Sequence, residues 1–186
     1  IYLDVKSLMN EPIARRAVLY FLVFPSAFFL FGAYTEGVFL FFTLLSWRSS
    51  SQNKWLQSSF WAALAVLTRF QGVGLFIPLA YRWWKSPGRS LRRGGIFLVG
   101  IPFTFLTWAI FAHQVLGTPY PWQALEIGWN QHLGWPWEGI INNTLNLFNF
   151  HPYWRPSLYP DLWAAIVFLI LTYFVFRKLP FEYGLL

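Results

Sequence analysis

Apolar and polar positions along the chain come in long blocks. Stretches free of charge run over residues 17–33, 37–47, 56–68, 72–81, 94–112 and 162–176, each bounded by polar or charged residues. Such blocks predict helices, and a chain made of them predicts an all-α architecture. A helix rising 1.5 Å per residue needs ~20 apolar residues to cross a bilayer core, so several blocks are too short to span alone. Pairing resolves this. The stretch "WLQSSFWAALAVLTRFQGVGLFIPLAYRWW" reads as two short helices joined at "TRFQG", and 17–33 with 37–47 reads as a second hairpin with "AYTEG" at its tip. Both tips point the same way and end below the membrane surface. The expected fold is a polytopic membrane helical bundle in one domain over residues 1–186, with about six spans near 14–33, 35–47, 55–68, 71–84, 94–112 and 161–177.

Composition agrees with this pattern. Of 186 residues, 56% are hydrophobic, 23% aromatic and only 11% charged, and the mean hydropathy is +0.43. A soluble domain carries about 25% charged residues. The net charge of +7 would serve nucleic acid only as a basic face on a folded domain, and here the cations sort by membrane side. With Arg15 and Arg16 cytoplasmic, 12 of the 14 Lys and Arg fall inside and only Arg69 and Arg155 outside, as the positive-inside rule requires. Both termini are then cytoplasmic, in a bacterial inner membrane or the ER membrane. Trp47, Trp55, Trp83 and Trp84 fall at the cytoplasmic interface. The loop "SPGRSLRRGG" reads as a topology determinant that contacts anionic lipid. The absence of cysteine excludes disulfides and thiolate metal sites. The first residue is Ile1 and no signal peptide precedes the first span, which is expected of a piece of a longer protein.

Residues 113–160 form the long outer-face segment, with five Trp and all three His. Pro121 suits a first helical position. Trp122, Leu125, Trp129 and Leu133 share one face and Gln123, Asn130 and Gln131 the other, which predicts an amphipathic helix lying in the interface. His113, His132 and His151 lack metal-ligand spacing, so no metal site is expected. "NNT" at 142–144 is a glycosylation sequon, and Asp161 reads as the cap of the last helix. No phosphate-binding glycine loop and no nucleophile motif is present.

The chemistry concentrates at the hairpin tips. Glu36 and Arg69 are the only charges there, and a charge at membrane depth costs about 2.5–3.5 kcal/mol on insertion scales, so it ordinarily has a partner and a purpose. One account is structural: Thr35 caps the following helix, Glu36 favours its positive end, and Arg69 neutralises Glu36. The other is functional. An arginine beside Gln71 and Gly72 grips phosphate through paired donors. A carboxylate accepts hydrogen bonds from sugar hydroxyls or takes a proton from one. Outer-face Trp rings offer flat surfaces for sugar rings. These features fit a site for a lipid-linked phosphorylated sugar, and they fit a transporter equally well.

"FPSAFFLFGAYTEGVFLFFTLLSW" followed by "WAALAVLTRFQGVGLFIPLAYRW" resembles the family of the second mannosyltransferase of GPI-anchor synthesis and its bacterial relatives, over about residues 14–140. Pro25, Ala27, Phe28, Tyr34, Glu36 and Phe39 match a pattern ending in Tyr-Ser-Glu-Ser. Thr68, Arg69 and Gly72 match Thr-Arg-Ser-Asn-Gly, and Trp129, Pro136 and Trp137 match an outer Trp ahead of a Pro-Trp pair. Thr35 and Gly37 stand where the family often has serines, and Phe70-Gln71 replaces Ser-Asn. The glutamine expected before the outer Trp is either Gln123 or replaced by Glu126.

The resemblance implies a GT-C-type, inverting membrane glycosyltransferase that moves a sugar, mannose by analogy, from a polyprenyl- or dolichyl-phosphate donor to a lipid-linked or glycan acceptor on the outer face. No cofactor is implied, and the partners are membrane lipids, donor and acceptor. On this reading Glu36 and Arg69 are the catalytic candidates, and Tyr34, Thr35, Gln71, Gln123, Trp129 and His132 the substrate-binding ones, with 121–137 covering the site. The family's usual base lies in a first outer loop ahead of residue 1, so the chain alone is expected to be inactive. The alternative is a secondary transporter or permease for an anionic or lipid-linked solute, and a structural subunit without a site is the third possibility.

Overall fold

The computed structural model describes residues 1–30, 32, 34–86, 94–129, 134–135, 137–148 and 158–185. Among them the regular structure is helical throughout, with no strand. The chain forms two compact units, Ile1–Gly117 and Thr118–Leu186.

The first unit opens with α1 (Tyr2–Leu8) and α2 (Glu11–Val23). Asn10 caps α2 by accepting from the Ile13 N–H at 3.0 Å, and Pro12 sits in its first turn. The expected span 14–33 does not run through as one helix. α2 stops at Val23, Phe24 turns extended (φ −60, ψ 135) and a 3₁₀ segment, Pro25–Leu30, follows. Pro25 explains the break: its ring pushes the preceding residue out of the helical region, and it has no N–H to continue the ladder.

α3 (Glu36–Ser51) and α4 (Trp55–Thr68) form an antiparallel hairpin. The turn between them is fastened by the N–H groups of Gln52, Asn53 and Lys54 donating back to Ser49 and Ser50 carbonyls, with Asn53 at φ 57. Asparagine tolerates that left-handed conformation better than most residues. Small residues are fully buried in this hairpin, Ser46, Ser58, Ala62 and Ala65 among them, and Ser46 Oγ donates across it to the Ser58 carbonyl at 2.9 Å. Small residues let two backbones approach, and the hydroxyl bond across them fixes the register.

After α4 the chain folds back through a 3₁₀ segment, Phe70–Leu75, into α5 (Phe76–Lys85). The expected helix over 71–84 is thus α-helical only from Phe76. α6 (Ile96–Leu98) and α7 (Gly100–Leu116) complete this unit, with α7 packed against α4. Pro102 cannot donate to the Leu98 carbonyl, which accounts for the interruption at Val99. Taken together, Ile96–Leu116 is the one helical stretch among the described residues long and apolar enough to cross a membrane.

Two of the four tryptophans expected at an interface are packed among the helices. Trp47 and Trp55 are buried, and the Arg82 guanidinium lies 4.5 Å over the Trp47 ring. The cation–π contact draws the charged end of α5 onto α3.

The second unit contains α8 (Pro121–Trp129), α9 (Glu138–Phe148), α10 (Leu158–Lys178) and α11 (Phe181–Leu185). Pro121 opens α8 as expected. α8 closes at Trp129, and the rest of the amphipathic pattern, Asn130 to Leu133, lies outside the described residues. The "NNT" sequon falls inside α9, where Thr144 Oγ1 donates to the Ile140 carbonyl. Asp161 is not the cap of the last helix: α10 already begins at Leu158, so Asp161 lies within its first turns.

Candidate functional site

Glu36 is the first residue of α3 and Arg69 the residue that ends α4. The antiparallel hairpin therefore brings them to the same end, and the Arg69 Nη1 donates to Glu36 Oε1 in an ion pair. The side chains keep 32% and 34% of their exposure, so the pair is partly screened from solvent but reachable.

Backbone geometry holds each partner. The α4 ladder ends as the Arg69 N–H donates to the Ala65 carbonyl, after which Arg69 becomes extended (φ −148, ψ 131) and swings its side chain off the helix. Its carbonyl then accepts from the Gly72 N–H at 2.9 Å. That turn presses Gly72 onto α4: a Cβ there would lie 2.6 Å from the Val66 nitrogen and 2.7 Å from the Ala65 carbonyl carbon. Only glycine fits such an approach. Gly37 does the same for the partner, since a Cβ there would stand 2.9 Å from the Leu30 carbonyl oxygen. Both charges are thus flanked by a close backbone crossing.

Glu36 sits in the first turn of α3, where its charge faces the positive end of the helix. Thr35 does not cap that helix: it occupies the N-cap position with helical angles (φ −79, ψ −9), its side chain makes no capping bond, and it is exposed. An N-cap residue needs extended angles to turn its hydroxyl toward the first free N–H groups, and Thr35 lacks them.

The second carboxylate oxygen is the unexpected part. Glu36 Oε2 is buried and has no hydrogen-bond partner among the described residues. Glu36 also lines a cavity of about 270 Å³ whose other walls are Phe21, Phe24, Ala27, Phe29, Leu30 and Leu40. The break at Pro25 makes room for this cavity between α2, the 3₁₀ segment and α3. The sequence carried its signal in "FPSAF", yet nothing in residue spacing shows which side chains close around it.

The remaining candidates divide. Tyr34 is exposed and packs edge-on against Phe29, centroids 5.0 Å apart. Gln71 is exposed on the 3₁₀ turn two residues from Arg69. Gln123 and Trp129 belong to the second unit. The Gln123 side chain accepts from the Tyr120 N–H at 3.1 Å, which closes the start of α8. Trp129 ends α8, and His132 lies outside the described residues. In the same unit, Tyr120 stacks on Trp122 (4.7 Å, 6°) and Trp135 on Trp137 (5.2 Å, 11°), with both Trp135 and Trp137 exposed. No group of acidic, His or Cys side chains suited to a metal occurs among the described residues.

No family model, curated protein or solved structure matches the chain.

Proposed function

We propose that the chain belongs to a membrane-embedded glycosyltransferase that moves a sugar from a polyprenyl- or dolichyl-phosphate donor to a hydroxyl acceptor. The observation that carries the proposal is the Glu36–Arg69 pair with one carboxylate oxygen left over. The unpartnered oxygen is an acceptor open to a hydroxyl. Arg69 spends one donor on Glu36, and a guanidinium has five in a fork that matches phosphate.

In this proposal the acceptor oxygen attacks the anomeric carbon and loses its proton to a base, while the carbon–oxygen bond to the lipid phosphate breaks. Arg69 stabilises the charge that grows on the departing phosphate. Glu36 orients sugar or acceptor hydroxyls, and Tyr34, Thr35 and Gln71 border the same tip. The six-span arrangement with both termini cytoplasmic belongs to the proposal. It is supported by large apolar side chains left exposed along α7 (Phe103, Leu106, Ile110, Val115) and on α10 (Val167, Phe168, Leu169, Ile170, Leu171), since apolar surface on this scale marks an interaction with lipid or partner.

The test is transfer by the full-length protein in lipid, supplied with polyprenyl-phosphate-linked mannose and a lipid acceptor. An interaction that strengthens as the leaving group gains charge acts on turnover, so Arg69→Gln should lower kcat more than it raises KM. Arg69→Lys keeps the charge but not the fork and should restore only part of the rate. Wild-type protein that releases no polyprenyl phosphate, yet carries a solute across the bilayer, overturns the proposal in favour of a transporter.

A further inference from the structure

We infer that the cavity beside Glu36 is a binding site for an apolar chain that carries a hydroxyl, with the hydroxyl donating to Glu36 Oε2. Six of its seven lining residues, Phe21, Phe24, Ala27, Phe29, Leu30 and Leu40, are apolar. At about 270 Å³ it lies just below the usual range for small-molecule pockets, about 300–1,000 Å³, and so takes a segment of chain and not a whole bulky ligand. A hydrocarbon body satisfies those walls. It leaves the carboxylate oxygen without a donor, and a buried acceptor without a partner costs free energy that a ligand recovers by supplying one.

The charge balance selects the donor. Glu36 is already neutralised through Oε1 by Arg69. An ammonium placed at Oε2 would bring a second cation next to the guanidinium and gain little. A second carboxylate or a phosphate would meet like charge at Glu36. A neutral hydroxyl fits both the bond and the charge. This inference does not depend on sugar transfer, since it concerns what the cavity holds and not what is done to it.

The experiment uses the full-length protein in lipid nanodiscs and reads binding alone. A long-chain alcohol bearing a photoreactive diazirine is compared with its methyl ether, which has the same body and no donor. The alcohol should cross-link peptides covering residues 21–40, and the ether about tenfold less at equal concentration, the loss of a bond to a charged acceptor. Leu40→Trp should fill the cavity and abolish labelling; Ala27→Phe narrows it from the 3₁₀ segment and serves if the first variant does not fold. An ether that labels as well as the alcohol overturns the inference. So does labelling unchanged in a folded variant, or an amine analogue that binds more tightly than the alcohol. Loss of transfer activity with labelling intact would fall on the proposed function and leave the cavity's ligand standing.

Discussion

Ser46 and Ser58 meet across the α3–α4 hairpin in the register that also delivers Glu36 to Arg69. Each serine lies six residues from Gln52 at the turn, while Glu36 lies sixteen before it and Arg69 seventeen after it. The Ser46 Oγ bond to the Ser58 carbonyl, 2.9 Å and fully buried, is therefore a register pin on the path from the turn to the site, closer to the turn. Ser46→Ala should cost about 0.5–1.5 kcal/mol. Ser46→Leu should cost about 1–3 kcal/mol by overpacking and shift the hairpin. Thermal melting of the purified full-length protein measures the first effect. Cross-linking between cysteines introduced at positions 36 and 69 would report the second, and undiminished cross-linking in Ser46→Leu would show that the serine does not set the register.

The ion pair should behave as a unit. Glu36→Gln or Arg69→Gln alone should lower the melting temperature, and by less than the loss of a fully buried pair would, because each side chain keeps about a third of its exposure. The double variant should recover part of the loss. Effects that add within about 0.5 kcal/mol would show that the two charges do not depend on one another.

Gly72 and Gly74 make a paired comparison two residues apart. A Cβ on Gly72 would collide with the backbone of Ala65 and Val66, whereas one on Gly74 meets nothing within 4 Å. Gly72→Ala should cost at least about 1–3 kcal/mol, since the obstructing atoms are main chain. Gly74→Ala should be neutral or slightly stabilising, because alanine has less freedom to lose on folding. Equal melting temperatures for the two variants would refute the close approach that orients Arg69.

The helical blocks were legible because apolar runs end at charges, Gly or Pro, and every expected span carries a helix. The pairing of Glu36 with Arg69 was legible too, since two lone charges in an apolar chain have few other partners; the hairpin that joins them is α3–α4, turning at 52–54, and not the expected one over 17–47. What spacing did not reveal has a common cause. Thr35 is a favourable cap by residue type but sits at the wrong backbone angles. Trp47 and Trp55 are buried, and nothing in their spacing shows which neighbours cover them. Each depends on contacts that a single chain segment does not contain. The Pro25 break was readable from residue type alone and still belongs at Phe24, earlier than the apolar run implies.

At the amino-terminal end Glu11 bridges Lys6 and Arg15. The hydrogen bond from Lys6 holds the Glu11 carboxyl below its usual range, and the same bond to Glu11 raises the Lys6 ammonium. A depressed acid contributes stability above its unfolded value of 4.5 and loses it as pH falls through the folded value. A raised amine contributes below 10.5 and loses it as pH climbs through the folded value. The melting-temperature difference between wild type and Glu11→Gln should thus form a plateau at neutral pH that closes toward both extremes, and it should shrink in high salt because the groups are exposed. A difference that grows below pH 4 would contradict the pairing.

Orientation is open to labelling because the chain has no native cysteine. Gln52 and Asn142 are both exposed. In intact cells Gln52→Cys should resist an impermeant thiol reagent and Asn142→Cys should react. The reverse pattern would place the Glu36–Arg69 tip on the cytoplasmic side.

Joining two charges 33 residues apart through a three-residue turn has a consequence for how the protein is made. Contacts that close short loops form fast, because little chain entropy is lost before they are reached. The carboxylate and the guanidinium can find one another as soon as α4 has left the ribosome, before α5 and α7 have packed against the hairpin. Neither charge then has to wait unpaired in an apolar setting for the remainder of the chain, and substitutions in α7 should alter how firmly the hairpin is held without altering whether it forms.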